Sequence, residues 1–129
     1  MVNILIVEDD HSLRLLYEKA LSIKGYNVIG SAKNGEEAIT LYKEFKDKPE
    51  IILMDHRMPV KNGIEATKEI LANSSEIKPK IIFASADKTI KEIALSIGAI
   101  SFKDKPFTLE NLFKNINKAI NMDYPNPSN

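Results

Sequence analysis

Three uninterrupted apolar runs punctuate the chain: Ile4-Leu5-Ile6-Val7, Ile51-Ile52-Leu53-Met54 and Ile81-Ile82-Phe83-Ala84. None of them alternates with polar residues, which is the pattern of parallel strands buried on both faces. Two weaker stretches, Tyr26 to Ser31 and Ala99 to Phe102, read as further strands. Between the runs, apolar residues return at helical spacing. Leu13, Leu16, Ala20 and Ile23 predict a first helix, and Ala38, Leu41, Tyr42 and Phe45 a second. Ile64, Thr67 and Leu71 predict a third; Ile90, Ile93, Ala94 and Ile97 a fourth; Leu109, Leu112, Phe113, Ile116 and Ile120 a fifth. Gly25 and Gly98 stand where the first and fourth helices should stop. Asn34 with Glu37, Asn62 with Glu65 and Thr89 with Glu92 have the spacing of capping boxes.

The order is strand then helix, five times over. Right-handed crossovers turn that order into an α/β fold: one five-stranded parallel sheet, doubly wound, with five helices on its two faces. Such a sheet binds its ligands beyond the C-terminal ends of the strands, where strand order reverses. The segment MDYPNPSN, residues 122–129, has two prolines and no apolar period, and is expected to be a disordered tail behind a single domain spanning residues 1–121.

Composition narrows the picture. With 129 residues, the chain fits one domain that buries roughly two-thirds of its unfolded surface. Its 18 Lys+Arg balance 18 Asp+Glu, so no basic footprint points to nucleic acid or to an anionic membrane. No apolar run reaches the length of a membrane span, and the N-terminus lacks the basic start of a signal peptide, so a cytoplasmic location is expected. The absence of cysteine excludes disulfides and thiolate metal sites.

The chemistry should collect at the strand ends. The first strand runs into Glu8-Asp9-Asp10, the third into Asp55, the fourth into Ser85, and the fifth is followed by Lys105-Pro106. Acidic residues after strands often cap the next helix, and Asp10, just before Ser12, suits that role. Capping does not account for Asp55, which is followed by His56-Arg57-Met58-Pro59 rather than by a helix start. Carboxylates from two strands placed side by side repel unless a cation lies between them. Oxygen ligands from Asp9 and Asp55 suit Mg²⁺ (or Mn²⁺), with Lys105 and Ser85 left to hold phosphoryl oxygens. A carboxylate nucleophile, a metal and a lysine together make a phosphoryl-transfer site with a covalent aspartyl intermediate.

In these motifs the chain resembles the receiver domains of two-component response regulators. VEDD after the first strand, MDHRMP, Asn62-Gly63, Ser85 and Lys105-Pro106-Phe107 occur in order, and the resemblance spans Met1 to Asn121. It implies a flavodoxin-like (βα)5 fold and a signalling phosphoacceptor that catalyses only its own phosphorylation and dephosphorylation. It assigns Asp55 as phosphoacceptor, Asp9 as metal ligand with Glu8 ligating directly or through water, and the Arg57 backbone carbonyl as a further ligand. Ser85 and Phe102 match the switch pair, Lys105 the family's lysine, and Pro106 the position of a cis peptide. The implied partners are a sensor histidine kinase or a histidine phosphotransfer protein, and a downstream protein that reads the face of the fourth helix, fifth strand and fifth helix. That same face would serve a phosphorylation-dependent homodimer.

Departures from the family pattern are few. Lys61 replaces a commonly apolar residue and reads as a loop change of little consequence. Ser85 and Phe102 replace the commoner threonine and tyrosine, so the inward position of Phe102 would rest on packing alone. His56 reads as a partly exposed loop residue, and Arg57 and Asp87 as positions that tune the lifetime of the phosphoryl group. A phosphorelay intermediate would use the same residues. A flavin-binding protein would want a Ser-, Thr- and Gly-rich loop where Glu8-Asp9-Asp10 stands, and a phosphohydrolase a general acid where Arg57 stands.

Overall fold

The three apolar runs form the middle of one parallel sheet. A computed structural model of the chain describes residues 1–75 and 77–122; apart from Met122, the tail expected at 122–129 lies outside the described residues. The strands are β1 (Asn3–Val7), β2 (Asn27–Ala32), β3 (Ile51–Asp55), β4 (Lys80–Ser85) and β5 (Ser101–Asp104). The helices are α1 (His11–Ile23), α2 (Gly35–Glu44), α3 (Gly63–Ala72), α4 (Lys91–Ser96) and α5 (Leu109–Ile120). Strand order is β2-β1-β3-β4-β5, and every neighbouring pair is parallel. The chain leaves β1 toward β2 on one side and returns to β3 on the other, so the order reverses between β1 and β3. The C-terminal ends of those two strands carry the acidic residues.

Because successive side chains point to opposite faces of a strand, each run feeds two cores. Leu5, Val7, Ile52, Met54, Ile81 and Phe83 pack under α2, α3 and α4. Ile4, Ile6, Ile51, Leu53, Ile82 and Ala84 pack under α1 and α5. This double burial is why the runs are continuous rather than alternating. No described helix is long and apolar enough to cross a membrane.

Three local expectations are corrected. The buried stripe of α1 is Tyr17 and Leu21 with Leu13 beside them, whereas Leu16 is 47 % and Ile23 87 % exposed. Both readings have helical spacing, and only contact with β1 and β2 selects between them. Thr89 is not a cap; it lies in a short 3₁₀ turn, Lys88–Ile90, that Asp87 caps by accepting the Thr89 N–H, and α4 follows with no side-chain cap. The fifth strand begins at Ser101, two residues later than Ala99, because Ala99 N–H still bonds back to the Ala94 carbonyl at the end of α4. The other caps are in place, although the Asn34–Glu37 pair lacks the return bond of a capping box among the described residues. Asp10 accepts Leu13 N–H, Asn34 accepts Glu37 N–H, and Asn62 with Glu65 forms a reciprocal box.

Thr67 sits in the middle of the buried face of α3, and its Oγ1 has no hydrogen-bond partner among the described residues. A buried hydroxyl without a partner destabilises the folded state, and valine has the same shape without that cost. Thr67→Val should therefore raise the unfolding free energy by about 1 kcal/mol, measured by urea denaturation at constant m-value.

Candidate functional site

Glu8 follows β1 directly and is only 2 % exposed. Its N–H extends the β1–β2 ladder to the Ala32 carbonyl (2.9 Å), and its own carbonyl accepts a hydrogen bond from Arg14 Nη1 (2.8 Å). Main chain thus fixes the acid where it stands. Asp55 closes β3 at 7 % exposure. Lys105 reaches the same point from beyond β5; its N–H bonds to the Ser85 carbonyl (3.0 Å), and the Lys105–Pro106 peptide is cis. Lys105 Nζ lies 2.6 Å from Glu8 Oε1 and 3.3 Å from Asp55 Oδ1.

These side chains line a cavity of about 260 Å³ at the sheet's C-terminal edge, with Asp9, Arg57 and Ser85 on its walls. Carboxylate oxygens of Glu8, Asp9 and Asp55 all come within 4.8 Å of one another. Three acids facing one lysine leave an excess of negative charge. Burial, then the Glu8 charge, raises the Asp55 carboxyl to about 7, and the Lys105 ammonium only partly offsets this. Burial works against the charge of Lys105 too, but its hydrogen bond to Glu8 and the charges of Asp55 and Glu8 outweigh it, so the ammonium is held above its usual range. The phenol of Tyr17 is pushed upward by burial and by the nearby Glu8 and Asp55 charges.

The donor set fits a hard divalent cation. It is all oxygen, with no nitrogen or sulfur ligand in the cluster. Glu8 is the most committed of the three, since Oε1 pairs with Lys105 and Oε2 accepts Asp10 N–H (3.2 Å). Asp55 Oδ1 accepts from His56 N–H (2.9 Å) as well as from Lys105, whereas Oδ2 receives no donor among the described residues. Asp9 is exposed to the cavity mouth. Asp9 and Asp55 are therefore the acids with oxygens to spare.

The five residues expected at the strand ends, Glu8, Asp9, Asp55, Ser85 and Lys105, meet at this cavity together with Arg57, which the resemblance assigns to it. Ser85 is buried, and its Oγ accepts the Asp87 N–H (3.0 Å). Arg57 lines the pocket, and its largely exposed side chain reaches Asp87 (3.4 Å). Phe102 does not line the cavity; its half-buried ring stacks on Phe83 with centroids 6.3 Å apart. The His56 ring lies tilted against Phe83 with centroids 6.0 Å apart; its Nδ1 is buried with no partner among the described residues, and burial lowers its pKa.

Two participants escape a sequence reading. Tyr17, stacked on Phe107 beside the site, hides in the wrongly phased stripe of α1. Lys61 is no idle loop change, because its Nζ bonds Glu69 Oε2 at 2.7 Å and lies 3.5 Å from Glu36 Oε2. Its neighbour Val60 has φ +69°, which is strained for a β-branched residue. Gly63 is required as glycine, since a Cβ there would overlap the Asp55 carbonyl and the Phe83 ring.

A buried strand-end acid flanked by two more acids and a lysine, at the switch point of a parallel sheet, places the chain among doubly wound α/β domains built on an acidic site. The chain belongs to the response regulator receiver domain family, which it matches over residues 4–117. It is similar to the chemotaxis protein CheY of Thermotoga maritima, 36 % identical over 116 residues covering 90 % of this chain and 95 % of that protein. Its fold is similar to CheY in the CheX–CheY–BeF3–Mg²⁺ complex from Borrelia burgdorferi, with TM-score 0.86 and 25 % identity over 94 % of this chain and 90 % of that one. The receiver domain of a sensor histidine kinase from Pseudomonas aeruginosa, solved with a magnesium ion in its active-site cleft, matches at TM-score 0.82 and 29 % identity, covering 94 % and 98 % of the two chains.

A carboxyl raised from 3.8 to about 7 on folding makes the metal-free folded state bind more protons than the unfolded state between those values. Stability should therefore fall as pH rises from about 4 through about 7. Asp55→Asn removes this slope and should add about 1–2 kcal/mol at pH 8, a figure reduced for water in the cavity. Urea denaturation of the metal-free proteins across that pH range measures both effects.

Proposed function

We propose that the chain is the phosphoacceptor of a two-component system, taking a phosphoryl group on Asp55 from a sensor histidine kinase or a histidine phosphotransfer protein. The observation that carries this reading is the state of Asp55. One of its oxygens is tied to His56 N–H and Lys105, and the other faces the acidic cavity with no backbone or lysine donor among the described residues. That second oxygen, Oδ2, attacks the phosphorus of the donor phosphohistidine. An O–P bond forms as the N–P bond breaks, and the departing imidazole takes a proton from solvent. Asp9, Asp55 and the Arg57 carbonyl would hold a divalent cation, Mg²⁺ or Mn²⁺, whose positive charge would keep Asp55 ionised beside an anionic donor. Glu8 ligates it directly or through water. Lys105 bonds one phosphoryl oxygen and Ser85 Oγ donates to another.

The output follows from the same contacts. When Ser85 Oγ turns to the phosphoryl group, its bond with Asp87 N–H is disturbed, and Asp87 caps the turn leading into α4. Phe102 on β5 then has room to shift along Phe83. The α4–β5–α5 face changes, and a downstream protein, or a second copy of the chain, reads it; Ile93 and Leu95 on α4 are exposed for such contacts. The Arg57–Asp87 pair at the cavity mouth supports a role for both residues in setting how fast water removes the phosphoryl group. The protein acts in the cytoplasm as a switch, not as an enzyme on external substrates.

Intact-mass spectrometry after incubation with acetyl phosphate tests the reading. One Mg²⁺-dependent phosphoryl adduct is expected, absent in Asp55→Asn, with the rate in Lys105→Ala lowered about a hundredfold. A folded, Mg²⁺-loaded protein that gains no adduct, or gains it equally in Asp55→Asn, contradicts it.

A further inference from the structure

The loop between β3 and α3 carries Arg57 to the cavity wall and returns through a turn at Val60. That turn is closed by Lys61 N–H on the Pro59 carbonyl (2.7 Å), a three-residue turn with its central residue at positive φ. This is the rare, strained form of a γ-turn, and a β-branched side chain worsens it. Packing does not hold it, because Val60 is 80 % exposed. What holds it lies one residue on. The Lys61 carbonyl accepts Gly35 N–H (2.9 Å) at the start of α2, an approach so close that a Cβ on Gly35 would overlap that carbonyl. The Lys61 ammonium then reaches Glu36 of α2 and Glu69 of α3. The loop is thus tied through one residue to two helices.

We propose that Lys61 is a positioning residue: by tying the β3–α3 loop to α2 and α3 through Glu36 and Glu69, it holds the strained turn at Val60 and so keeps Arg57 at the wall of the acidic cavity in the arrangement that receives the divalent cation. This rests on the reading of the cavity as a Mg²⁺-dependent phosphoacceptor site. Lys61 touches neither metal nor phosphoryl group; it acts through the backbone that does. The ion pairs are half exposed, so the tether loosens as salt screens them.

Two readouts separate the tether from the site. In the metal-free protein, amide hydrogen exchange at Lys61, Gly63 and Gly35 reports closure of the loop, since their N–H groups bond Pro59, His56 and Lys61 carbonyls. Lys61→Met should speed exchange at these three amides by about three- to tenfold, with the amides of β1 unchanged. Mg²⁺ affinity, followed by tyrosine fluorescence or calorimetry, should weaken by a similar factor. Lys61→Arg should restore both. Val60→Gly removes the strain, so Lys61→Met made in that background should lose most of its effect on Mg²⁺ affinity. Unchanged exchange in Lys61→Met, or the same affinity loss with and without Val60→Gly, overturns the tether. Wild-type protein that binds no Mg²⁺ while Lys61→Met still frees the loop overturns the phosphoacceptor reading instead.

Discussion

The crowding of Glu8, Asp9 and Asp55 against Lys105 is the constraint on which the rest of the structure depends. Three carboxylates with oxygens within 4.8 Å, two of them buried, repel one another, and one ammonium does not balance them. A fold tolerates such a cluster only when rigid elements hold each member. Here Glu8 and Asp55 sit at the ends of adjacent central strands, each buried by helices on both faces. Lys105 is delivered by the loop after β5, anchored to the Ser85 carbonyl. The stability stored in the two cores is what lets the mouth remain electrostatically unfavourable. That unfavourable negative charge is the property a divalent cation would relieve.

Most of this was legible because it is written in short-range patterns. Continuous apolar runs such as Ile51 to Met54 identify doubly covered strands, and once strand order is known the strand-end residues have nowhere else to go. Glu8, Asp9, Asp55, Ser85 and Lys105 were assigned to one pocket on that basis and Arg57 through the family resemblance, and the cavity gathers all six. Asp10, Asn34 and Asn62 were legible as caps because capping is local chemistry.

What was not legible depends on contacts distant in sequence. The stripe of α1 admits two phases at helical spacing, and only the sheet beneath decides for Tyr17 and Leu21 over Leu16 and Ile23. The polar character of Lys61 says nothing about Glu36 and Glu69 until α2 and α3 lie side by side. The stack of His56, Phe83 and Phe102 likewise joins three strands' worth of chain. These ring contacts run from the residue after Asp55 to β5.

The most direct test of the charge argument is the number of protons released when Mg²⁺ binds, measured by calorimetry in buffers of different ionisation enthalpy. If the acidic cluster holds Asp55 near 7 and the cation displaces its proton, binding at pH 7 should release about half a proton, falling toward none by about pH 9. The Asp55→Asn protein should release none between pH 7 and pH 9. Mg²⁺ binding at pH 7 without proton release, or equal release from the Asp55→Asn protein, would contradict the account.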